Sequence, residues 1–148
     1  MGASSSTSRR KKIPFEDSFL TTLSIQANPD YRPPGAGQPV PGLRVVPRVQ
    51  LAAHESDAHH YQLTLTVQDD PDAEDEQPYA LDLRMVGQFV VDEGLEHDRV
   101  EHLVAVNGAS LLYSALREIV LMATGRSAWG SVQLPTMNFN RLTTEPVE

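Results

Sequence analysis

The chain has 148 residues, which suits one domain of roughly 100–150 residues with a single core and short tails. Its 12 Lys and Arg against 20 Asp and Glu give a net charge of −8; Arg9, Arg10, Lys11 and Lys12 form an acid-free run, so the remainder sets 8 bases against 20 acids and carries −12. A body so acidic repels nucleic acid and anionic membranes and attracts basic partners, and the absence of cysteine rules out disulfides, thiolate metal sites and a Cys nucleophile.

Residues 1–14 are small, polar and basic and are expected to be a disordered tail, with SRRKK a candidate address or polyanion-binding arm. The sequence shows no stretch approaching the ~18 apolar residues that span a bilayer and no apolar segment behind the basic run. A cytoplasmic protein without membrane contact is expected.

From Phe15 to Ala27 the residues alternate, with Phe19, Thr21, Leu23, Ile25 and Ala27 on one side and Leu20, Thr22, Ser24 and Gln26 on the other. This predicts a first strand. Asn28–Gly42 holds five prolines and three glycines, which excludes helix and central strand and predicts a long loop. Alternation resumes at Leu43, Val45, Val49 and Leu51, where Pro47 removes a ladder donor and points to a bulge or a sheet edge. After a polar turn, His54–His60, a third strand sets Tyr61, Leu63, Leu65 and Val67 against Gln62, Thr64, Thr66 and Gln68. One buried and one wet face favours an antiparallel sheet.

The acidic stretch Asp69–Pro78 predicts a solvated turn, and a fourth strand carries Tyr79, Leu81, Leu83 and Met85 inward. Gly87 before Phe89 predicts a bulge or a change of face. In Asp92–Val106, Leu95, Val100, Leu103 and Val104 suggest a short helical turn. Asn107 is then a candidate N-cap for a helix through Leu111, Leu112, Ala115, Leu116, Ile119, Val120 and Ala123, stopped at Gly125 and Arg126. Strands first and helix last give an α+β fold, a four-stranded antiparallel meander sheet with one long helix on its apolar face. That helix is apolar around most of its circumference, which predicts a second cover, most simply another copy of the chain.

Chemistry has no visible anchor. His97 and His102 are five apart, missing the i, i+4 spacing of a helical metal pair, and the acidic loop lacks EF-hand spacing. No serine stands in a G-x-S-x-G turn and no glycine-rich phosphate loop follows a strand. Neither an enzyme, a metal site nor a cofactor is expected. Beyond Gly125, however, Trp129, Val132, Leu134, Met137 and Phe139 lie without a regular period in a loop holding Gly130 and Pro135. So much apolar bulk in a loop suits an irregular binding surface, for which aromatic and Met side chains are adaptable.

The stretch Leu111–Phe139, LLYSALREIVLMATGRSAWGSVQLPTMNF, resembles the SecB family of export chaperones. The likeness rests on the long helix with Arg117 and Glu118, the helix end, an aromatic, and an apolar loop closing in Pro135, Thr136, Met137, Asn138 and Phe139. Gly87 and Phe89 fit a Gly-x-Phe pattern upstream, and the likeness extends over roughly Leu20–Leu142. It implies a SecB-like domain over 15–142, with a short C-terminal helix and a short flexible end at 143–148. It also implies a homotetramer, a dimer of dimers, with Leu23 and Ile25 of the first strands and Leu112, Leu116 and Ile119 of the helices at the interfaces. The function implied is ATP-independent holding of unfolded polypeptides, for export or for an antitoxin, with Trp129, Val132, Leu134, Met137, Phe139 and Tyr113 lining the groove. Asp82 keeps an acid where the family docks the SecA ATPase, whereas Thr22 and Gln26 are neutral. The family's Phe-Pro step early in the helix is Tyr113 and Ser114 here. A different reading gives the apolar surface to one folded partner, as a dedicated assembly module.

Overall fold

The computed structural model describes residues 15–38, 42–54, 57–91 and 97–140. The expected tail 1–14, the C-terminal end 143–148 and the short C-terminal helix lie outside these, as does Leu95. Four strands and one helix follow in order: β1 Phe15–Ala27, β2 Val45–His54, β3 Asp57–Asp69, β4 Tyr79–Val90 and α1 His97–Thr124. The class is the expected α+β, one antiparallel sheet carrying one long helix.

The strand order is β1-β4-β3-β2, which corrects the simple meander. Only β2, β3 and β4 follow one another as neighbours. The chain leaves β1, crosses the width of the sheet through the proline-rich loop and begins β2 at the far edge, a Greek-key connection. Stiff prolines suit that long crossing. Pro47 sits on the edge strand β2 opposite Val67, the kind of strand in which a missing ladder donor is tolerated.

β1 is not one uninterrupted ladder. Leu20 pairs with Met85 and Thr22 with Arg84, leaving Thr21 as an extra residue. Because directly paired residues share a face, Leu20, Leu23 and Ile25 lie on the inner side with Met85, Leu83 and Leu81, while Phe19 opposes Val86 on the outer side. The bulge therefore separates Phe19 from Leu23, which plain alternation puts together. A second irregularity falls between Phe15 and Asp17.

The inner face carries the core. Val49, Tyr61, Leu63, Leu65, Val67, Leu83 and Phe89 meet Val104, Ala109, Leu112, Leu116 and Val120 of α1, all essentially without solvent exposure. Each Val, Leu or Phe among them contributes about 1.5–3 kcal/mol relative to exposure. Gly87 neither bulges nor changes the face, since burial continues in phase through Phe89. Its purpose is space: a Cβ there would lie 2.8 Å from the Phe89 ring and 3.2 Å from Leu112. Gly108 does the same from the helix, where a Cβ would lie 2.9 Å from Phe89 and 3.1 Å from Leu63. The Phe89 ring is clasped between two glycines.

That clasp explains a second correction. Asn107 does not cap a helix but lies inside α1, which begins ten residues earlier at His97. Gly108 looks like a helix breaker in sequence, yet here it permits the close approach of helix to sheet. The single helix also corrects the reading of membrane propensity, because Arg99–Thr124 is long and apolar enough to cross a bilayer by length and composition. Its packing along the sheet covers one side of that stretch, through Val104, Ala109, Leu112, Leu116 and Val120, and leaves Leu103, Leu111, Leu121 and Met122 exposed.

Candidate functional site

α1 stops at Thr124 as expected, but not through a left-handed glycine. Gly125 is absent from the positive-φ residues, and the chain leaves through tight turns, Gly125 N–H to Leu121 C=O at 3.1 Å and Ser127 N–H to Thr124 C=O at 2.9 Å. Reversal comes at Gly130, whose φ is +82°, a conformation that favours glycine. From there an extended strap, residues 130–140, runs back along the helix.

Inward and outward residues alternate in the first half of the strap. Val132 and Leu134 turn toward the core while Ser131 and Gln133 are exposed; Met137 is half-buried and Phe139 buried, flanked by exposed Thr136 and Asn138. Leu134 and Phe139 are only 1% and 3% exposed. Among the described residues, no backbone-to-backbone hydrogen bond engages residues 131–139.

Side chains hold the strap instead. The buried Thr124 hydroxyl donates to Val120 C=O at 2.6 Å and accepts from Val132 N–H at 2.9 Å. The Tyr79 hydroxyl donates to Gly130 C=O at 2.7 Å and accepts from Trp129 N–H at 3.1 Å. Arg117 Nε donates to Leu134 C=O at 3.2 Å and Tyr113 Oη to Pro135 C=O at 2.5 Å. The Tyr113 ring also meets Phe139 edge-on, centroids 5.5 Å apart. Burial pushes the Tyr113 phenol up to about 12, with Arg117 pulling weakly the other way.

Trp129 ties the strap's start to the proline-rich loop. Its indole N–H donates to Asn28 C=O at 2.8 Å and its ring meets Tyr31 edge-on at 5.4 Å. Asn28 is itself bound to the entry of β4 by its backbone N–H to Pro78 C=O. Of the six expected groove residues, Trp129, Val132 and Met137 are partly buried against the core, and Leu134, Phe139 and Tyr113 are inside it. All six belong to or pack against the core cluster along the strap, and half of them are not open surface.

The expected interface residues divide similarly. Leu112 and Leu116 are filled by the chain's own sheet, which corrects their assignment to a free surface, whereas Ile119 and Ile25 are half-buried and Leu23 is 49% exposed. The helix presents Leu103, Leu111, Leu121 and Met122 to solvent instead, and β1 leaves Phe19 exposed on the sheet's outer face and Leu20 exposed on its inner face. Asp82 lies on the sheet's outer face, its carboxylate accepting from Gln68 and Arg84, both at 3.3 Å. In the acidic loop, Asp69 accepts from Leu81 N–H at 3.0 Å and Asp70 pairs with Arg44 at 3.3 Å, so two of its acids close the turn. No group of three His, Asp or Glu is assembled among the described residues.

Sequence reasoning missed the four latch residues Tyr79, Arg117, Thr124 and, in that role, Tyr113. The available signal was a hydroxyl on an otherwise apolar inward face, which must find a partner when buried.

The family model described as preprotein translocase subunit SecB matches residues 12–147. Among solved structures, a SecB-like chaperone of Mycobacterium tuberculosis in complex with a ChAD peptide from the HigA1 antitoxin is similar in fold, with TM-score 0.57 and 18% identity over 85% of this chain and 91% of that one. A Streptococcus agalactiae protein of unknown function aligns with TM-score 0.44 and 15% identity, over 84% of this chain and 98% of that one. No curated protein matches the chain in sequence.

Proposed function

The chain belongs to the SecB family, and we propose that it is an ATP-independent holding chaperone that binds unfolded polypeptides on the apolar surface around the strap. The observation that carries this reading is the surplus of apolar surface. With the core complete, Trp129, Val132 and Met137 stay partly exposed beside the strap, and Phe19, Leu20, Leu23, Leu103, Leu111, Leu121 and Met122 are exposed on β1 and α1; apolar surface left open in this way marks interaction sites.

The surplus falls into two sets with different duties. β1 is a sheet edge with unpaired main chain, suited to antiparallel pairing with β1 of a second copy, which would cover Leu20 and Leu23. The outer face of α1 suits a second dimer, giving a homotetramer. Clients then take the flank where Trp129, Val132 and Met137 are half-buried. The client class spans chains awaiting export and, by analogy with the mycobacterial complex, an antitoxin segment. Asp82 is the position for SecA docking, softened by Arg84 beside it. The setting is the cytoplasm.

The test is suppression of aggregation of a chemically unfolded client without nucleotide, with light scattering to follow oligomer size. Trp129→Ser with Val132→Ser is expected to cut suppression while the oligomer persists. Unchanged suppression sinks the strap as client surface. A panel of unrelated unfolded peptides separates general holding from a dedicated assembly module, which would ignore most of them.

A further inference from the structure

Arg117 is a cation without a counter-charge. It shares one face of α1 with Ser114, Glu118 and Leu121, one turn apart on either side, and together with Gln133 of the strap these residues line a cleft of about 230 Å³. Arg117 is half-buried and uses its Nε on Leu134 C=O at 3.2 Å, which leaves the fork of its two Nη groups toward the cleft. Among the described residues that guanidinium forms no ion pair, although acids outnumber bases 20 to 12 in the chain. Glu118 lines the same cleft, but residues adjacent in a helix do not face each other.

We infer that the cleft is a carboxylate seat: the Arg117 fork binds the carboxylate of a client segment, supplied by an Asp or Glu side chain or by the client's C-terminus. This rests on the holding function proposed above. Two N–H groups in one plane match two carboxylate oxygens, and charge-assisted pairs of this kind are the strong ones. The bond from Nε to Leu134 already fixes the fork, so little side-chain freedom is lost on binding. Ser114 and Gln133 add a hydroxyl and an amide as further donors, and Leu121, 38% exposed, gives an apolar rest to the carbon stem of the bound residue.

Glu118 narrows the choice of ligand. Its charge beside the guanidinium leaves the cleft close to neutral, which disfavours phosphate and other multiply charged anions, while its oxygens accept a main-chain N–H of the same peptide. The volume lies below the roughly 300–1,000 Å³ of a drug-sized ligand and suits a single residue. Because the acidic body repels acidic chains in general, the seat reads one carboxylate at one position and not the net charge of the client.

The test uses the full chain and peptides that differ at one place. An unfolded peptide rich in Leu and Phe, amidated at its C-terminus and carrying Glu or Gln at each position in turn, reads the side-chain source; the Gln peptide with a free C-terminus reads the other. At low salt, one Glu position or the free C-terminus is expected to raise affinity about fivefold over its neutral partner, and the gain fades as salt rises. Arg117→Gln removes the charge and keeps an amide to donate to Leu134 C=O, while Gln133→Glu sets a resident carboxylate in the wall. Both are expected to abolish the gain. Arg126→Gln, which removes an exposed charge beyond the helix end, is expected to retain it. The inference is overturned by no gain at any position, by a gain that survives Arg117→Gln and Gln133→Glu, or by an equal loss in Arg126→Gln. It is overturned too if the gain appears only with Glu145→Gln and Glu148→Gln, because the seat then belongs to this chain's own acids.

A second readout needs no holding activity. The nuclear magnetic resonance signal of the Arg117 Nε–H is expected to shift saturably with the α-amide of N-acetylglutamate, to stay put with its glutamine counterpart, and to lose the response in Gln133→Glu. A chain that shows this shift but holds no peptide keeps the seat and defeats the holding function. A chain that holds peptides without the shift overturns the seat.

Discussion

Two parts of this molecule bury large apolar side chains by different means. In the sheet and helix, Leu63, Leu65, Phe89 and Leu112 are held by elements whose main chains are already paired. In the strap, Leu134 and Phe139 are equally buried, yet the strap's main chain is held by side chains, at Val132 and Pro135 by hydroxyls and at Leu134 by a guanidinium. Burial measures how well a side chain fits, and main-chain pairing measures how cooperatively it must leave. The core should respond to substitution as a unit, and the strap by itself.

The sharpest test of the core is its glycine clasp. Phe89→Ala removes a ring packed between Gly87 and Gly108 and is expected to cost about 3–5 kcal/mol in urea unfolding. Gly108→Ala comes next. Alanine is worth about 1 kcal/mol over glycine in a helix interior, but its methyl would enter a ring that has no free space, and overpacking costs about 1–3 kcal/mol. A net loss is expected in the native background. With Phe89→Leu the loss should shrink or reverse, and an additive result would break the clasp.

These residues also mark where sequence reasoning reached and where it stopped. Period-two alternation located all four strands, most cleanly β3, which buries one face, and even β1, none of whose described side chains is buried. It could not order them, since a pattern within a strand says nothing about its neighbour, and the Greek-key crossing of β1 was invisible. The extra residue at Thr21 was equally hidden, because Phe15–Ala27 still alternates on paper while its two halves face opposite ways. Asn107 imitated a cap because asparagine favours that position and the helical apolar period resumes after it, and only the position of Phe89 shows why the helix tolerates Gly108. At the site, the loss of helical period after Gly125 exposed the strap, and the SecB likeness gave it a role. That Leu134 and Phe139 plug the core rather than line open surface depended on Tyr79, Thr124 and Arg117, whose partners are main-chain atoms far along the chain and leave no local pattern.

A smaller effect is expected from the strap's latch. Tyr113→Phe keeps the ring against Phe139 and removes the hydroxyl bonded to Pro135 C=O. A loss of about 0.5–1.5 kcal/mol is expected. The same hydroxyl sets an alkaline limit. Its pKa rises from 10.0 to about 12 on folding, so the folded state holds this proton where the unfolded chain has released it. The phenol's contribution is complete below pH 10 and is lost progressively as pH rises from 10 through 12. In Tyr113→Phe that part of the decline should vanish, leaving the contribution of Tyr61, whose pKa is also raised, first by burial and then by Glu101. An unchanged alkaline profile would remove Tyr113 from the latch.

The smallest expected effect falls on the surface that belongs to neither region. Met122 is 70% exposed on the outer face of α1, so within one chain Met122→Ser should change stability by no more than about 0.5 kcal/mol. If that face is covered by another copy, the cost instead belongs to association. Association stabilises the folded chain by mass action, so its loss grows with protein concentration. Unfolding midpoints of native and Met122→Ser protein should therefore coincide at high dilution and separate as concentration rises. The same difference at every concentration would place Met122 within the chain's own packing. A difference at none would leave Leu103, Leu111 and Leu121 on the same face, tested in the same way, to locate the contact or to show that α1 presents its outer face to clients instead of copies.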